Sequence, residues 1–157
     1  MALVLVRIDD RLIHGQVILG WAHALHPDRI VLVNDNIAKS SWHREVYEAA
    51  VPSEIGVSIL GLDRAVKYLT EREFDEERIL VIVESPRNAL SLVRKGIDIK
   101  SVNVGGLHHT EGKDRLLPYV YVTNQDIDAF KELIAMGVEV ECRDVPTAKK
   151  IDMRKLL

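Results

Sequence analysis

Short apolar runs recur along the chain, and longer stretches with a different spacing of apolar residues separate them. A run rich in Val, Ile and Leu, without polar interruptions, is typical of a strand that is buried on both faces of a sheet. The pattern predicts strands at Leu3–Ile8, Arg29–Val33, Gly56–Leu60, Arg78–Val83, Ser101–Val104, Val120–Val122 and Val138–Cys142.

Between most of these runs, apolar residues recur at intervals of three and four, which predicts amphipathic helices. Ser85 followed by Pro86 is typical of an N-cap and a first-turn proline, and Asn124 is expected to cap the last helix. Gly96 and Gly137 are placed to end the last two helices. The predicted helices are His14–Leu25, Ala38–Ala50, Leu62–Glu71, Pro86–Lys95 and Gln125–Met136.

The alternation of strands and helices predicts an α/β fold, a single open and mostly parallel sheet with helices on both faces. The length of 157 residues suits one domain that spans residues 1–157. The exception to the alternation is Gly105–Pro118, which combines glycines, histidines and charges of both signs without a clear period. We expect a loop there, and its length favours a binding role.

Composition excludes several classes of function. A formal net charge of -3 and a pI near 6.1 do not suit a general nucleic-acid binder, so small polar substrates or protein partners are expected. No apolar run approaches the roughly 20 residues that span a bilayer, and the start lacks the features of a signal peptide. We therefore expect a cytoplasmic protein whose membrane role, if it has one, works through a partner.

Three residues are expected to serve packing rather than chemistry. Cys142 is the single cysteine, so it cannot form an internal disulfide and gives no sign of an oxidising compartment. It falls in a predicted strand, where a thiol is most often inert. Trp21 and Trp42 fit the apolar faces of predicted helices better than a sugar-stacking platform.

The segment from Val6 to Val17 places polar residues between a predicted strand and a predicted helix. The carboxyl ends of strands in open α/β sheets are the usual ligand sites, and the free N–H groups at a helix start attract anions. His14 falls at this junction, and a neutral imidazole can take up and pass on a phosphoryl group. Arg11 could hold phosphoryl oxygens with its planar set of donors. The segment therefore predicts a phosphoryl-handling loop.

The neighbouring residues leave alternatives open. Asp10 could orient the ring of His14, but Asp9 or Asp10 could instead cap the helix. Judged by residue types alone, the loop also suits a structural histidine beside a surface ion-pair cluster of small energetic consequence. The backbone N–H groups expected to bind phosphoryl oxygens are those of Ile13, Gly15 and Gln16.

Gly105 and Gly106 follow a predicted strand and are expected to form a tight turn whose exposed amides face the His14 loop. A plain turn is the alternative. The stretch that follows falls short of a P-loop, because Leu107 stands where the first glycine of that motif is required and Asp114 replaces its Ser or Thr. Nucleotide binding is therefore disfavoured.

The same loop carries residues of metal-ligand type, but their spacing argues against a metal site. Adjacent histidines rarely converge on one ion, and no H-E-x-x-H spacing occurs. His108 can still reach the phosphoryl pocket, whereas His109 is expected to face solvent. The residues considered as ligands are His108, His109, Glu111 and Asp114.

Residues 7–17, which read Arg-Ile-Asp-Asp-Arg-Leu-Ile-His-Gly-Gln-Val, resemble the signature loop of IIB subunits of the mannose/fructose/sorbose family of the sugar phosphotransferase system (PTS). Ser101–Leu107 with Gly112-Lys113 further on is similar to the next most recognisable stretch of that family. Asp128–Phe130 and Gly137–Pro146 are similar to its closing strand and tail. The resemblance covers essentially the whole chain.

The resemblance implies a sheet of about seven strands with one antiparallel strand near the end. It also implies that His14 is the phosphorylation site, which takes a phosphoryl group from a phosphohistidine of a IIA domain. The acceptor would be a hexose-type sugar delivered by a membrane IIC/IID permease, with which the chain would associate peripherally. No cofactor and no metal are implied, and a homo-oligomer stays open.

Two positions depart from the family pattern. Glu84-Ser85-Pro86 follows the fourth strand, where members commonly carry a Thr-Asn-Pro-like turn, and His108-His109 replace small or aromatic residues. A Glu84 that pointed into the crevice would repel phosphate or accept a proton from a sugar hydroxyl. The residues expected to support the site are Asp10, Asp35, Glu84 and His108.

These departures bear on the identity of the sugar more than on the phosphorylation of His14. They weakly favour a second interpretation, a regulatory phosphocarrier in a system without a functioning permease. A third, a metal-assisted hydrolase built on the His14 loop, requires a bound metal and activity without a phosphodonor.

Overall fold

The computed structural model describes residues 1–157 and contains nine strands. Seven of them form one open sheet and two form a separate hairpin. Their bounds are β1 (Ala2–Asp9), β2 (Arg29–Val33), β3 (Gly56–Leu60), β4 (Arg78–Val83), β5 (Ser101–Gly106), β6 (Asp114–Leu117), β7 (Val120–Val122), β8 (Glu139–Cys142) and β9 (Ile151–Asp152).

The order of strands in the main sheet is β3-β2-β4-β1-β5-β8-β9. Every neighbouring pair is parallel except β8 and β9, which are antiparallel. The predicted α/β fold with a mostly parallel, seven-stranded sheet is confirmed. The runs of Val, Ile and Leu in β2 and β4 are buried on both faces, as parallel strands require.

The helices include one of unusual form. A π-helix, Val17–Ala22, runs directly into the short α1 (His23–Leu25), and residues 15 and 16 before it are already helical. The remaining helices are α2 (Asp35–Ala38), α3 (Ser41–Ala49), α4 (Leu62–Glu71), α5 (Pro86–Arg94), α6 (Asn124–Ala135) and a 3-10 turn, Met153–Lys155.

The ends of α5 and α6 test the predicted caps. The Ser85 hydroxyl accepts a hydrogen bond from the amide of Asn88, so Ser85 caps α5 as predicted. The prediction that Asn124 caps α6 is wrong by one residue, because Thr123 forms a capping box with Asp126. The glycines after α5 and α6, residues 96 and 137, have φ angles of 95° and 87°. Both helices therefore end where a left-handed residue is needed.

The predicted helix Ala38–Ala50 is wrong as a single element. Ser40 has an extended backbone, and its hydroxyl accepts a hydrogen bond from the amide of His43, so α3 starts afresh there. Asn34 caps the preceding α2 in the same way through Ile37. Trp42 on α3 is 67% exposed, so the expectation that it packs on a helix face is also wrong.

The predicted loop at 105–118 is wrong in part, because it contains the end of β5 and all of β6. β6 pairs with β7 in the separate hairpin, so the run at Val120–Val122 is not a strand of the main sheet. The seventh strand is instead β9, which has two residues only and lies in a polar tail. A strand so short carries no apolar run that a sequence pattern could detect.

Helices cover both faces of the sheet, as predicted. On one face, apolar residues of α4, α5 and α6 pack into the larger core, which includes the fully buried Phe130. On the other face, the π-helix packs through Val17, Ile18 and Trp21 against β2, β3 and β4. No helix combines the length and the apolar composition that a membrane crossing requires.

The connections reverse direction beside β1. After β1 the chain passes to the face that carries the π-helix, whereas after the adjacent β4 and β5 it passes to the face that carries α5 and α6. Such a switch point opens a crevice at the carboxyl ends of the strands, where open α/β proteins bind their ligands. The His14 loop leaves β1 at this crevice.

Candidate functional site

The loop after β1 folds back on the strand end. The amide of Leu12 donates to the carbonyl oxygen of Asp9 at 3.0 Å, and Leu12 has a left-handed backbone with φ of 61°. This conformation costs about 1–3 kcal/mol for a residue other than glycine, and burial of the Leu12 side chain offsets that cost. The turn brings His14 back onto the side chain of Asp9.

The carboxylate of Asp9 is the centre of the site. It is fully buried and accepts five hydrogen bonds from three residues. Oδ1 accepts from the amide and the Nε of Arg11 at 3.1 and 3.0 Å. Oδ2 lies 3.1 Å from Nη2 of Arg7, 3.0 Å from Nη2 of Arg11 and 2.9 Å from Nε2 of His14.

These contacts keep Asp9 ionised. Burial by itself raises the pKa of a carboxyl group, but the hydrogen bonds from His14 and Arg11 and the charge of Arg7 outweigh it. Together they lower the pKa of Asp9 from 3.8 to about 2. The carboxylate can therefore only accept hydrogen bonds at neutral pH.

The charge state of Asp9 fixes the tautomer of a neutral His14. Since the carboxylate accepts, Nε2 of His14 carries the proton and Nδ1 keeps a free lone pair. The side chain is 19% exposed, so the ring is held in the wall of the crevice and still reached from outside. The geometry presents one oriented nucleophilic nitrogen.

The lowered pKa of Asp9 predicts an acid-dependent loss of stability. A group whose pKa is lower in the folded state stabilises the fold above its unfolded pKa and loses that contribution as the pH falls. From 3.8 to about 2, the difference corresponds to roughly 2 kcal/mol. We expect the free energy of unfolding to fall by about this much more between pH 5 and pH 2 in the wild type than in Asp9→Asn, measured by urea titration. Parallel pH slopes would show that Asp9 is not held in this way.

Arg7 anchors Asp9 from behind. Its guanidinium is fully buried, and Nη1 donates to Oδ1 of Asn103 at 2.6 Å and to the carbonyl oxygen of Arg143 at 3.1 Å. Nη2 donates to Asp9 and, at 3.0 Å, to the carbonyl oxygen of Asp144. A buried cation with these partners fixes the position of the carboxylate.

The buried guanidinium occupies space that Gly105 leaves free. A Cβ atom on Gly105 would lie 1.9 Å from Cζ of Arg7. No residue other than glycine fits there unless Arg7 moves. The position requires glycine because another group approaches its backbone closely.

An indole connects Arg7 to the tail of the chain. Cζ of Arg7 lies 5.3 Å from the ring centroid of Trp21, and Cζ of Arg143 lies 4.8 Å from it. Trp21 donates from Nε1 to the carbonyl oxygen of Asp144 at 3.1 Å. Arg143 is held in turn by Glu141 through two hydrogen bonds of 3.0 and 3.1 Å. The expectation that Trp21 packs is confirmed, since its side chain is buried. It packs against Arg7, which holds Asp9, and against Arg143.

Arg11 faces the opening. Its side chain is 47% exposed, and Nη2 donates to Oε1 of Gln16 at 2.8 Å as well as to Asp9. No hydrogen bond uses Nη1. The charges of Arg7 and Arg11 exceed that of the Asp9 carboxylate between them by one, and the half-exposed Arg11 presents this positive charge beside His14, where it attracts an anion.

The helix start has free amides. Ile13 has a buried side chain, whereas Gly15 is exposed with open space around it. No hydrogen bond uses the backbone N–H groups of residues 13–16. Such amides at the start of a helix are suited to phosphoryl oxygens.

The structure places Asp10 away from the ring of His14. The alternative in which Asp10 orients that ring is wrong, because Asp9 makes the contact. Asp10 instead accepts hydrogen bonds from the backbone and the side chain of His108. Asp10 and Glu84 both line a polar cavity of about 420 Å³ between the starts of α5 and α6. The sequence left open whether Glu84 points into the crevice. In the structure Glu84 is exposed and lines this cavity.

Two further expectations are wrong. Gly105 and Gly106 are the last residues of β5 and do not form a turn. Their bare backbones make room for Arg7 and Arg11, and a Cβ on Gly106 would lie 3.0 Å from Nη2 of Arg11. Asp35 does not join the site, because its Oδ1 accepts from the amide of Leu62 at 2.9 Å and caps α4.

The sequence interpretation missed Arg7, Asn103 and the part that Asp9 plays. A signal was present, because Arg7 and Asp9 alternate with Ile8 in an otherwise apolar strand. Residues two apart in a strand share a face, and charged residues are rarely buried unless they are paired. The pattern therefore points to a buried ion pair at the end of β1.

The comparisons with known proteins agree over the whole chain. Residues 3–157 match the family model described as the PTS system sorbose subfamily IIB component. The chain is 33% identical over 153 residues to the sorbose-specific EIIB component of Klebsiella pneumoniae, which covers 98% of this chain and 93% of that relative. It is 34% identical over 157 residues to the mannose-specific EIIAB component of Escherichia coli K12, covering 100% of this chain and 49% of the relative.

Solved structures show the same architecture. The IIBSor domain of the sorbose permease from Klebsiella pneumoniae superposes with a TM-score of 0.93 at 32% identity, covering 99% of this chain and 95% of the other. The N-acetylgalactosamine-specific IIB component 1 from Escherichia coli superposes with a TM-score of 0.89 at 30% identity, covering 94% and 97%. The similarity is therefore one of whole folds.

Proposed function

The chain belongs to the sorbose subfamily of PTS IIB components, and we propose that it carries a phosphoryl group on Nδ1 of His14. The donor is a phosphohistidine of a IIA domain, and the acceptor is a hexose-type sugar held by a IIC/IID permease. The observation that carries the proposal is the contact of 2.9 Å between Nε2 of His14 and the ionised Asp9, since it leaves Nδ1 as the free nucleophile.

In the first transfer, the lone pair on Nδ1 attacks phosphorus in line with the donor nitrogen. The bond from phosphorus to the donor nitrogen breaks, and its electron pair stays on the donor ring. A bond from phosphorus to Nδ1 forms, and His14 keeps the proton on Nε2. No proton has to move, because the donor phosphohistidine is protonated on its other ring nitrogen and leaves as a neutral imidazole, while the His14 ring takes over the positive charge.

Asp9 favours both directions of transfer. Attack by Nδ1 places positive charge on the ring while Nε2 stays protonated, and the adjacent carboxylate stabilises that charge. The same protonated ring is a good leaving group, so the phosphoryl group stays transferable to a weaker nucleophile such as a hydroxyl. A carrier requires this balance between uptake and release.

Arg11 and the helix-start amides hold the phosphoryl oxygens. Phosphoryl transfer depends mainly on positioning and charge neutralisation, and these groups offer donors on the side of the ring that faces the opening. Nη1 of Arg11 is free to bind an oxygen, while Nε and Nη2 keep the side chain fixed on Asp9. The arrangement binds a phosphoryl group without a metal ligand from this chain.

Partners follow from the place of IIB components in the PTS. The match to a relative named EIIAB, which is about twice as long as this chain, supports a IIA domain as the donor. The crevice at the carboxyl ends of the strands leaves His14 accessible to a second protein. We propose that a IIA domain and a IIC/IID permease use this opening in turn.

We expect Arg11→Ala to slow charging of His14 about 10- to 100-fold while the fold is retained. The variant removes the donors for phosphoryl oxygens, whereas Arg7 still holds Asp9 from behind. Arg11→Lys keeps the charge and loses the fork of donors, so it should recover only part of the rate. Rapid-quench measurement of charging from phospho-IIA checks this, and an unchanged rate in Arg11→Ala would remove Arg11 from the mechanism.

The proposal is tested by charging the purified protein with radiolabelled phospho-IIA. We expect an acid-labile, base-stable adduct that is absent in His14→Ala. Addition of permease vesicles with sorbose, fructose or mannose should then release sugar phosphate. Failure of the wild type to take the label would contradict the proposal. Labelling without sugar phosphate in any permease system would favour the regulatory phosphocarrier.

A further inference from the structure

A second histidine is paired with a carboxylate at the same edge of the sheet. Oδ2 of Asp10 accepts from the amide of His108 at 2.8 Å and contacts Nδ1 of its ring at 2.5 Å. The His108 side chain is 66% exposed, whereas Asp10 is largely buried. With the carboxylate as acceptor, a neutral His108 carries its proton on Nδ1 and presents the lone pair of Nε2 outward.

His108 lies close to the phosphoryl site along the backbone. Asp10 directly follows Asp9, and its amide donates to the carbonyl oxygen of Gly106 at 3.1 Å. A Cβ atom on Gly106 would lie 3.0 Å from Nη2 of Arg11 and 3.3 Å from Oδ1 of Asp9, and His108 follows Gly106 by two residues. The two carboxylate–histidine pairs therefore start from consecutive residues and flank one crevice.

His108 also contacts two residues that line the polar cavity. Asp10 and Lys113 both line that cavity, and both contact His108, with Nζ of Lys113 donating to its carbonyl oxygen at 3.3 Å. Nine of the ten lining residues are polar, and they offer donors and acceptors together. Such a wall suits a hydroxyl-rich molecule better than an apolar one or a simple anion, because Asp10, Glu84 and Asp126 contribute carboxylates.

We propose that His108 is the general base of the sugar step, a role that rests on the proposed function for its phosphoryl group and its acceptor. As the acceptor oxygen attacks phosphorus, the bond from phosphorus to Nδ1 of His14 breaks and its electron pair returns to that nitrogen. The hydroxyl proton passes to Nε2 of His108, and Asp10 stabilises the imidazolium that forms. His108 then releases the proton to water.

The chemistry favours His108 over Glu84, the other base at the cavity. An imidazole takes up and releases protons near pH 7, and the pairing with Asp10 orients its free nitrogen. The transfer from IIA to His14 involves no hydroxyl proton. A base is therefore needed in only one of the two transfers, and this difference supplies the test.

The experiment compares two fates of the charged protein. Phosphorylated His14 is discharged either to IIA, from nitrogen to nitrogen, or to sorbose, fructose and mannose in vesicles with the IIC/IID permease. We expect the ratio of the sugar rate to the return rate to fall at least tenfold in His108→Gln. The matched control His109→Gln, whose ring packs edge-on against Tyr121, should keep the wild-type ratio.

The pH dependence of the sugar rate distinguishes a His108 that accepts a proton from a His108 that is only structural. Between pH 5.5 and 8, the sugar rate of the wild type should fall towards acid more steeply than that of His108→Gln. Equal ratios in wild type and His108→Gln would overturn the role of His108, as would a fall in Glu84→Gln alone. A wild type that does not charge on His14 at all would overturn the proposed function first.

Discussion

Asp9→Asn should slow phosphoryl transfer to His14 by at least about 100-fold. The amide can donate as well as accept, so it no longer imposes the proton on Nε2, and it removes the negative charge that stabilises the ring during attack. It also leaves Arg7 buried without its charge partner. Rapid-quench kinetics with phospho-IIA measures the rate, and circular dichroism at pH 7 establishes that the variant is folded.

Two comparisons make this result specific to the contact. Asp9→Glu keeps the charge on a longer arm and should recover part of the rate. Asp28→Asn makes the same chemical change just before β2, at the amino ends of the strands and away from the crevice. There Oδ2 of Asp28 accepts from the amide of Arg78, so this variant should charge at the wild-type rate. A folded Asp9→Asn that charges as fast as the wild type would show that His14 does not depend on Asp9.

Gly105→Ala should destabilise the protein by about 3–5 kcal/mol and slow charging with it. The added Cβ would overlap the guanidinium of Arg7. The guanidinium cannot shift without breaking some of its four hydrogen bonds. Displacing a buried charge from its partners costs about this much. Urea titration measures the loss of stability, and charging at 10 °C measures the effect on transfer.

A control and a double variant test whether the clash with Arg7 causes the loss of stability in Gly105→Ala. Gly15→Ala adds a Cβ with no atom within 4 Å and should change the free energy of unfolding by less than about 1 kcal/mol. In an Arg7→Met background, Gly105→Ala should cost at least about 1 kcal/mol less than in the wild type, because the clash with the guanidinium is gone. Equal costs in the two backgrounds would mean that Arg7 does not occupy this space.

Much of the fold follows from the sequence because the physical signals are local. The runs of Val, Ile and Leu predicted β2, β3 and β4 with their bounds, and Ser85 marked the start of α5. The errors fall where a local pattern is weak or has two meanings. The two-residue β9 has no apolar run, and the turn at Ser40 lies inside a stretch of helical period.

The site was predicted less completely, since its contacts depend on tertiary structure. Spacing predicted that His14 and Arg11 share one loop, and both contact Asp9, but which aspartate meets the ring depends on the left-handed turn at Leu12, which no residue preference indicates. Gly105 suggested a turn, because a glycine after a strand usually marks one. Glycine is required at position 105 because the guanidinium of Arg7, on the adjacent strand, occupies the space of a side chain there. That contact can be seen only once β1 and β5 are paired.

We infer that Asp9 holds Nε2 of His14 so that Nδ1 receives the phosphoryl group. The most direct measurement is long-range ¹H–¹⁵N NMR of histidine-labelled protein before and after charging with phospho-IIA. We expect that the ring of uncharged His14 carries its proton on Nε2 and that phosphorylation shifts the Nδ1 resonance of His14. Phosphorylation on Nε2, or a labelled histidine other than His14, would contradict it.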